Sequence, residues 1–264
     1  MSWLEAILLG LVQGLTEFLP VSSDGHLELG KTLLKVKNAD NMTLSVVLHL
    51  ATALSSVVVF RKEIAQILSG LTKFRYNEHW DFVFKVLVSA IPAGVVGLTF
   101  KEELEALFNG NLVLTGLCLI ITSAGLWASQ LAPRGQKSVS FVAAFCMGAA
   151  QAAALLPGLS RSGSTVSVAM LLGIDRAKAA VFSFLMVLPV IFGGSFLELL
   201  ELLDDPRTAF ALGPGPLVAG FLTAFATGVL ACKTMVVSVK RGGLWPFALY
   251  TLLIGSAALY FGLR

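Results

Sequence analysis

Six long apolar stretches dominate this chain of 264 residues and restrict what it can fold into. They cover 44–60, 82–100, 112–130, 179–200, 216–238 and 244–263. As helices, stretches of this length cross a hydrocarbon core about 30 Å thick. Only 13% of the residues are charged, against roughly 25% in soluble domains, so the chain cannot cover a water-facing surface. The sequence therefore predicts an all-α polytopic membrane protein with six transmembrane helices.

Two shorter apolar segments end in polar turns. The first, at 6–16, is followed by Glu17, a proline and the polar run 22–26. The second, at 141–156, is followed by a Pro-Gly pair and the polar run 160–165. A polar turn broken by proline is tolerated at membrane depth only where it is buried in protein or lines a wet cavity. We interpret both segments as re-entrant helical hairpins; a full span with a functional kink is the alternative for each.

The two polar turns are related to each other at an offset of 138 positions. The pairs are Gly10 with Gly148, Gln13 with Gln151, Ser22 with Ser160, and Gly25 with Gly163. Three spans separate the turns, and because three is odd, the second hairpin enters from the opposite face. This pattern is typical of an inverted-topology repeat. We expect one membrane domain, 1–264, built from repeat one (1–130) and repeat two (140–264), each a hairpin plus three spans.

The positions of the lysines and arginines predict the orientation. Twelve lie in loops opposite the N-terminus and six on the N-terminal side, which places both termini outside. The twelve are Arg61, Lys62, Lys73, Arg75, Lys85, Arg134, Lys137, Arg176, Lys178, Lys233, Lys240 and Arg241; the six are Lys31, Lys35, Lys37, Lys101, Arg207 and Arg264. The net charge of +3 is spread along the chain without a basic block, so no nucleic-acid partner is expected.

Arg161 is the remaining basic residue, and it lies in the second polar turn. A guanidinium at membrane depth is costly unless it meets an anion or a wet cavity, so it marks a functional site. The hydroxyls of Ser160, Ser162 and Thr165 and the following helix N-terminus complete a cradle for a phosphate group. The structural alternative pairs Arg161 with Glu17 to hold the two repeats together, and the two roles are compatible.

The first polar turn offers complementary chemistry within ten residues. Ser23 is suited to attack phosphorus, and His26 to act as the base or the acid. Glu17, with Asp24 or Gln13, supplies oxygen ligands of the kind that Mg²⁺ or Ca²⁺ takes. Plainer roles stay open, since the serines also suit a helix cap and Asp24 a turn.

One further histidine, His49, lies inside the span 44–60. It has no partner near it in the sequence. We therefore assign it no role.

Taken together, the two turns are very similar to the signature of the bacterial undecaprenyl-diphosphate phosphatase family of the bacitracin-resistance type. The segment QGLTEFLPVSSDGH at 13–26 resembles its first motif, and PGLSRSGST at 157–165 resembles its second. The resemblance extends over almost the whole chain. Two positions depart from the commonest pattern: Gln13 stands where many members carry Glu, and Asp24 where Ser or Thr is usual.

The resemblance implies hydrolysis of undecaprenyl diphosphate to undecaprenyl phosphate and inorganic phosphate at the outer face of the bacterial cytoplasmic (inner) membrane. It also implies a divalent cation, Mg²⁺ or Ca²⁺, and a role in recycling the lipid carrier of peptidoglycan synthesis and in bacitracin resistance. By position, it makes Glu17 the essential acidic residue, Ser23 the candidate nucleophile, His26 the acid/base and Arg161 the phosphate clamp. Attack on phosphorus by His26 or directly by water is the alternative. The supporting donors are Ser22, Ser160, Ser162 and Thr165, and the metal ligands are Glu17 and Gln13.

Two other readings compete with this one. A second lipid-phosphatase family uses a similar Ser-Gly-His turn, but it needs an Arg-Pro motif and a later histidine, which this chain lacks. A polyprenyl-phosphate transporter, or flippase, also fits inverted repeats with broken helices. The reactive groups of Glu17, Ser23 and His26 opposite Arg161 favour an enzyme, since binding alone does not require them. A homodimer is compatible with the sequence.

Overall fold

A computed structural model describes residues 1–27, 41–73, 75–107, 111–204 and 213–264. Within these ranges the regular structure is helical, apart from one isolated bridge between Lys137 and Ile174, so the all-α prediction is confirmed. The helices are α1 (Trp3–Phe18), α2 (Asn41–Val59), α3 (Arg61–Leu71), α4 (Glu78–Thr99), α5 (Lys101–Leu107), α6 (Leu112–Leu131), α7 (Phe141–Ala153), α8 (Arg161–Leu171), α9 (Arg176–Asp204), α10 (Pro214–Arg241) and α11 (Trp245–Gly262). Lys31, Lys35, Lys37 and Arg207 of the charge count lie outside the described residues.

Five of these helices are long and apolar enough to cross a membrane. They are α4, α6, the Arg176–Leu197 part of α9, α10 and α11, and they correspond to the last five predicted spans. The predicted span 44–60 is α2. It meets the same criteria only together with α3, from which it is bent by 75°.

The outer surface of the bundle is apolar, as a lipid-facing surface must be. Only 17% of the apolar part of α4 is buried inside the protein, and large side chains such as Leu87, Ile91 and Leu98 are exposed. A contiguous apolar surface of this extent is not stable in water. The chain is therefore a multi-pass membrane protein.

Both short apolar segments are helices that break before they could cross the membrane. The 16 residues of α1 and the 13 of α7 reach only about 24 Å and about 20 Å. Helix α1 ends at Phe18, its C-cap Leu19 lies immediately before Pro20, and residues 23–27 are helical again. The break after α7 contains Gly158 at φ +93°, a left-handed conformation that favours glycine. The chain continues from there into α8.

Each short helix packs on a long helix from the other half of the chain. Helix α1 lies along α10, and α7 lies along α4. A Cβ placed on Gly10 would come within 2.5 Å of the Gly220 carbonyl oxygen, and one on Gly148 would overlap the Ser89 carbonyl. Small residues at these crossings let the helices approach closely, which is the usual basis of helix association in membranes.

Aromatic packing fixes the end of α1, where Glu17 lies. The Phe18 ring packs 6.0 Å from the Phe184 ring on α9, and Phe60 stacks 5.7 Å from Phe184. Phe18, Phe60 and Phe184 are buried in the largest apolar cluster. The last turn of α1 is thus held against α9 by core packing.

Candidate active site

Glu17 and Arg161 form a buried ion pair between the two polar turns. Arg161 Nη2 donates to Glu17 Oε1 at 2.8 Å, and the side chains are 17% and 5% exposed, respectively. Ser162 Oγ adds a second link by donating to the Leu19 carbonyl at 3.3 Å. The two turns therefore meet, and the structural pairing considered for Arg161 is present.

The second oxygen of Glu17 faces the first turn. Oε2 accepts hydrogen bonds from Ser23 Oγ at 2.7 Å and from Gln13 Nε2 at 2.9 Å. Ser23 and Gln13 are both buried. A carboxylate this close to a buried hydroxyl is placed to take its proton.

Local backbone structure holds Ser22 and Ser23 at the end of this turn. Ser22 has φ +69°, a conformation that costs about 1–3 kcal/mol for a residue other than glycine and that recurs at functional sites. Its hydroxyl accepts from the Gly25 N–H at 3.3 Å. The capping role considered for Ser22 is thus present, while Ser23 points to Glu17.

In the second turn, Ser160 is the N-cap of α8. Its Oγ accepts from the Gly163 N–H at 3.1 Å, and its own N–H donates to Thr122 Oγ1 at 3.0 Å. Arg161 is the first residue of the helix. The positive end of the α8 dipole and the guanidinium therefore lie at the same place, where both favour an anion.

His26 uses both ring nitrogens away from Glu17. Nδ1 lies 2.7 Å from the Ser22 carbonyl, and Nε2 lies 2.8 Å from the Tyr250 hydroxyl, with the His26 and Tyr250 rings stacked. A carbonyl only accepts, so Nδ1 carries the proton and donates it. In this arrangement His26 supports the strained Ser22 backbone.

A small polar cleft opens at the ion pair. It is lined by Glu17, Ser22, Ser23, Asp24, Leu159, Ser160 and Arg161. Five of the eight residues predicted for catalysis or substrate binding are therefore in its wall. One cation, three hydroxyls and a helix N-terminus suit a phosphate group.

The other two predicted donors, Ser162 and Thr165, line a second cavity that shares Glu17 and Arg161 with the first. Thr165 Oγ1 donates to the Arg161 carbonyl at 3.0 Å, so it stabilises the start of α8. Gln151 and Ser183 also line this cavity. Their side-chain polar atoms are buried without a hydrogen-bond partner in the described part of the chain.

The donor set beside Glu17 fits a hard cation. Gln13 Oε1 is buried and has no hydrogen-bond partner among the described residues, while Gln13 Nε2 is bound to Glu17. No group of three or more His, Cys, Asp or Glu that could hold a metal occurs in the described ranges. A site with one oxygen from Glu17 and one from Gln13 would be typical of Mg²⁺, which often takes one or two protein oxygens and completes its shell with water and substrate phosphates.

Sequence reasoning missed three contacts of the polar turns, which are made by His49, Thr122 and Tyr250. His49 Nε2 lies 3.6 Å from Asp24 Oδ1, so the histidine that was assigned no role has a partner that is distant in the sequence. The signal was available, because an ionisable residue inside a span is a functional candidate. Thr122 and Tyr250 carry no comparable signal, since their contacts with the turns arise only from the tertiary fold.

Comparisons with known proteins identify the family of this chain. The family model described as "Bacitracin resistance protein BacA" matches residues 6–257. An undecaprenyl-diphosphatase of Christiangramia forsetii is 49% identical over 261 residues, covering 97% of both chains. Proteins of the same name are 45% identical in Bacteroides fragilis, covering 97% of this chain and 96% of the relative, and 34% identical in Alkaliphilus metalliredigens, covering 100% of both. A match of this length and identity, with both motif turns facing each other across one cleft, means that the chain belongs to the BacA family of bacitracin resistance proteins.

Proposed function

We propose that this chain hydrolyses undecaprenyl diphosphate to undecaprenyl phosphate and inorganic phosphate. Relatives at 34–49% identity that cover nearly its whole length carry the name undecaprenyl-diphosphatase. The observation that carries the proposal is the chain of contacts from Ser23 Oγ to Glu17 and on to Arg161. It joins a nucleophile, a base and a phosphate-binding cation in one cleft.

Ser23 is the proposed nucleophile and Glu17 its base. Glu17 takes the proton of Ser23 Oγ, which attacks the terminal phosphorus while the bridging phosphorus–oxygen bond breaks and its electron pair leaves with undecaprenyl phosphate. Arg161 and the hydroxyls of Ser22 and Ser160 neutralise the phosphate oxygens. Water then cleaves the bond between Ser23 Oγ and phosphorus, Ser23 regains its proton, and inorganic phosphate departs.

A divalent cation, Mg²⁺ or Ca²⁺, is part of the proposal, with Glu17 and Gln13 as its protein ligands. When bound, it would offset negative charge on the phosphate oxygens. Gln13 is preferred to Asp24 as the second ligand because its amide contacts Glu17 through Nε2 and its Oε1 is buried without a partner in the described residues, whereas Asp24 faces His49.

Two roles from the sequence stay predictions. His26 stays the predicted acid/base. Its Nε2 contacts the Tyr250 hydroxyl, and a proton could pass between the two groups. Ser162 and Thr165 are retained as supporting donors behind Arg161, from the wall of the second cavity. A homodimer also stays a prediction.

For the architecture, we propose an inverted repeat of two re-entrant hairpins and six spans, with the halves at 1–130 and 140–264. The reciprocal packing supports it, because α1 lies on α10 while its counterpart α7 lies on α4. At the offset of 138, α4 corresponds to α10, so a pseudo-two-fold axis exchanges the two contacts. The equivalent α6 and α11 pack on each other, as helices at such an axis would.

We further propose that the protein lies in the cytoplasmic membrane with both termini outside and the cleft open to the outer face. The distribution of Lys and Arg supports this orientation. In that position it would regenerate the lipid carrier after its use in peptidoglycan synthesis. Bacitracin resistance would follow from the same reaction.

Phosphate release from a prenyl diphosphate by the purified protein tests the function. We expect the protein in detergent to release inorganic phosphate from undecaprenyl diphosphate with Mg²⁺ or Ca²⁺ present. The matched control is Arg134→Ala, which removes an exposed arginine outside the cleft. A wild-type protein that releases no phosphate but moves the lipid between liposome leaflets would be a flippase, and the enzymatic function would then be wrong.

A further inference from the structure

Asp24 puts a second carboxylate into the cleft. It lines the same wall as Glu17 and Arg161, at a position where the family resemblance places a neutral Ser or Thr. The negative charge of Glu17 is offset by its ion pair with Arg161. A further negative charge on the wall would repel an incoming phosphate unless another group offsets it.

His49 faces this carboxylate from α2. His49 Nε2 lies 3.6 Å from Asp24 Oδ1, an ion-pair distance, and the side chains are 17% and 23% exposed. Partial burial keeps such a pair from being screened as strongly as one in open water. The contact joins α2 to the first polar turn.

The other side of the ring fixes its orientation. Nδ1 lies 2.9 Å from the carbonyl oxygen of Ser45, one turn earlier in α2, and 3.3 Å from the Ser45 hydroxyl oxygen. Because a carbonyl only accepts, Nδ1 carries a proton and Nε2 is the nitrogen that points to Asp24. A second proton on Nε2 would face an oxygen that also only accepts, so the geometry suits a cationic imidazole.

We propose that His49 is a positioning residue, which holds the Asp24 carboxylate against α2 and offsets its charge so that the cleft accepts a phosphate anion. The assignment of the anion as a prenyl diphosphate rests on the proposed function. In the cleft wall, the charge of Arg161 then offsets that of Glu17, and the charge of His49 offsets that of Asp24. His49 acts through Asp24 and does not touch the reacting atoms.

A double-mutant cycle with Asp24→Asn, His49→Gln and their combination tests this role. Gln at 49 keeps a hydrogen-bond donor but removes the charge, and Asn at 24 keeps the shape of the side chain. The readouts are KM and kcat for farnesyl diphosphate in detergent, and calorimetric affinity for inorganic pyrophosphate. His79→Gln is the matched control, because His79 faces Glu78 outside the cleft.

The expected result has opposite signs for the two single variants. His49→Gln raises KM about tenfold with a small effect on kcat, Asp24→Asn lowers KM, and the double variant returns KM toward the wild-type value. Pyrophosphate affinity follows the same pattern. A double variant as impaired as His49→Gln would assign His49 a packing role only, and an unchanged KM in His49→Gln would also overturn the inference.

Failure of the proposed function gives a different result. If the wild type hydrolyses neither farnesyl nor undecaprenyl diphosphate, the phosphatase assignment fails, and the cycle is read on pyrophosphate affinity alone. Opposite shifts in the two single variants then still support the pairing of His49 with Asp24, and equal or absent shifts contradict it. Thermal unfolding of each variant identifies a loss of affinity caused by misfolding.

Discussion

The guanidinium of Arg161 and the carboxylate of Glu17, 144 positions apart in the sequence, meet at 2.8 Å with both side chains largely buried. The pair connects the two polar turns. Through Glu17, it also links the Ser23 hydroxyl to the guanidinium of Arg161 by hydrogen bonds. A buried pair of this kind is weak evidence for stability, because its desolvation offsets much of its attraction. We attribute the pair to the proposed reaction.

Arg161→Ala is expected to lower kcat/KM by at least about 100-fold, which corresponds to about 2.7 kcal/mol of transition-state stabilisation. Arg161→Lys keeps the charge but not the planar fork, so it should fall between Ala and wild type. Phosphate release from undecaprenyl diphosphate measures both. Full activity in Arg161→Ala would contradict the role of Arg161 as phosphate clamp, and Arg134→Ala controls for loss of an arginine.

Ser23→Ala should abolish formation of a phospho-enzyme, because it removes the hydroxyl that donates to Glu17. We expect turnover to fall by about 100-fold or more. Acid quenching with labelled substrate, followed by peptide mapping, locates the phosphoryl group. A phosphoryl group on His26 would make the histidine the nucleophile, and an active Ser23→Ala enzyme without any covalent species would indicate direct attack by water.

The membrane class, the helix–break–helix segments and the residues of the cleft followed from the sequence, because spans and broken turns leave local signals. Arg161 was identifiable since a guanidinium in an apolar segment requires a partner. The contacts of His26 were not, because Tyr250 reaches it from a helix 224 positions away. Likewise His49 meets Asp24 only once α2 packs beside the first turn, which no local pattern encodes. Ser160 and Thr165 line different cavities because of the way α8 packs beside Glu17. Residue types alone do not specify that packing.

Gly148→Ala tests the packing of α7 on α4. The new methyl group would overlap the Ser89 carbonyl, a contact with backbone that cannot rotate away, so we expect a destabilisation of about 1–3 kcal/mol. The matched control is Gly94→Ala in α4, where nothing lies within 4 Å of the added carbon. Thermal unfolding in detergent compares them, and equal midpoints would contradict the close crossing.

Gln151→Met is expected to stabilise the protein by about 1 kcal/mol, because it replaces buried amide atoms that have no partner in the described residues with an apolar side chain of similar size. A gain in unfolding temperature with unchanged turnover would leave Gln151 a purely structural position. A gain accompanied by a rise in KM would place the second cavity in the substrate path. A loss of stability would contradict the prediction, since it would mean that the amide makes a favourable contact.

The orientation can be tested by single-cysteine labelling in intact cells. Cys118, Cys146 and Cys232 are first replaced by alanine or serine, and then Tyr76→Cys and Arg264→Cys are made separately. Tyr76 is 70% exposed, outside the spans and in the region predicted to face the cytoplasm, while Arg264 is the exposed C-terminal residue. An odd number of crossings between these positions puts them on opposite sides, so a membrane-impermeant maleimide should label position 264 at once and position 76 only after permeabilisation. The reverse pattern would invert the orientation, and labelling of both positions in intact cells would contradict the odd number of crossings on which the inverted repeat depends.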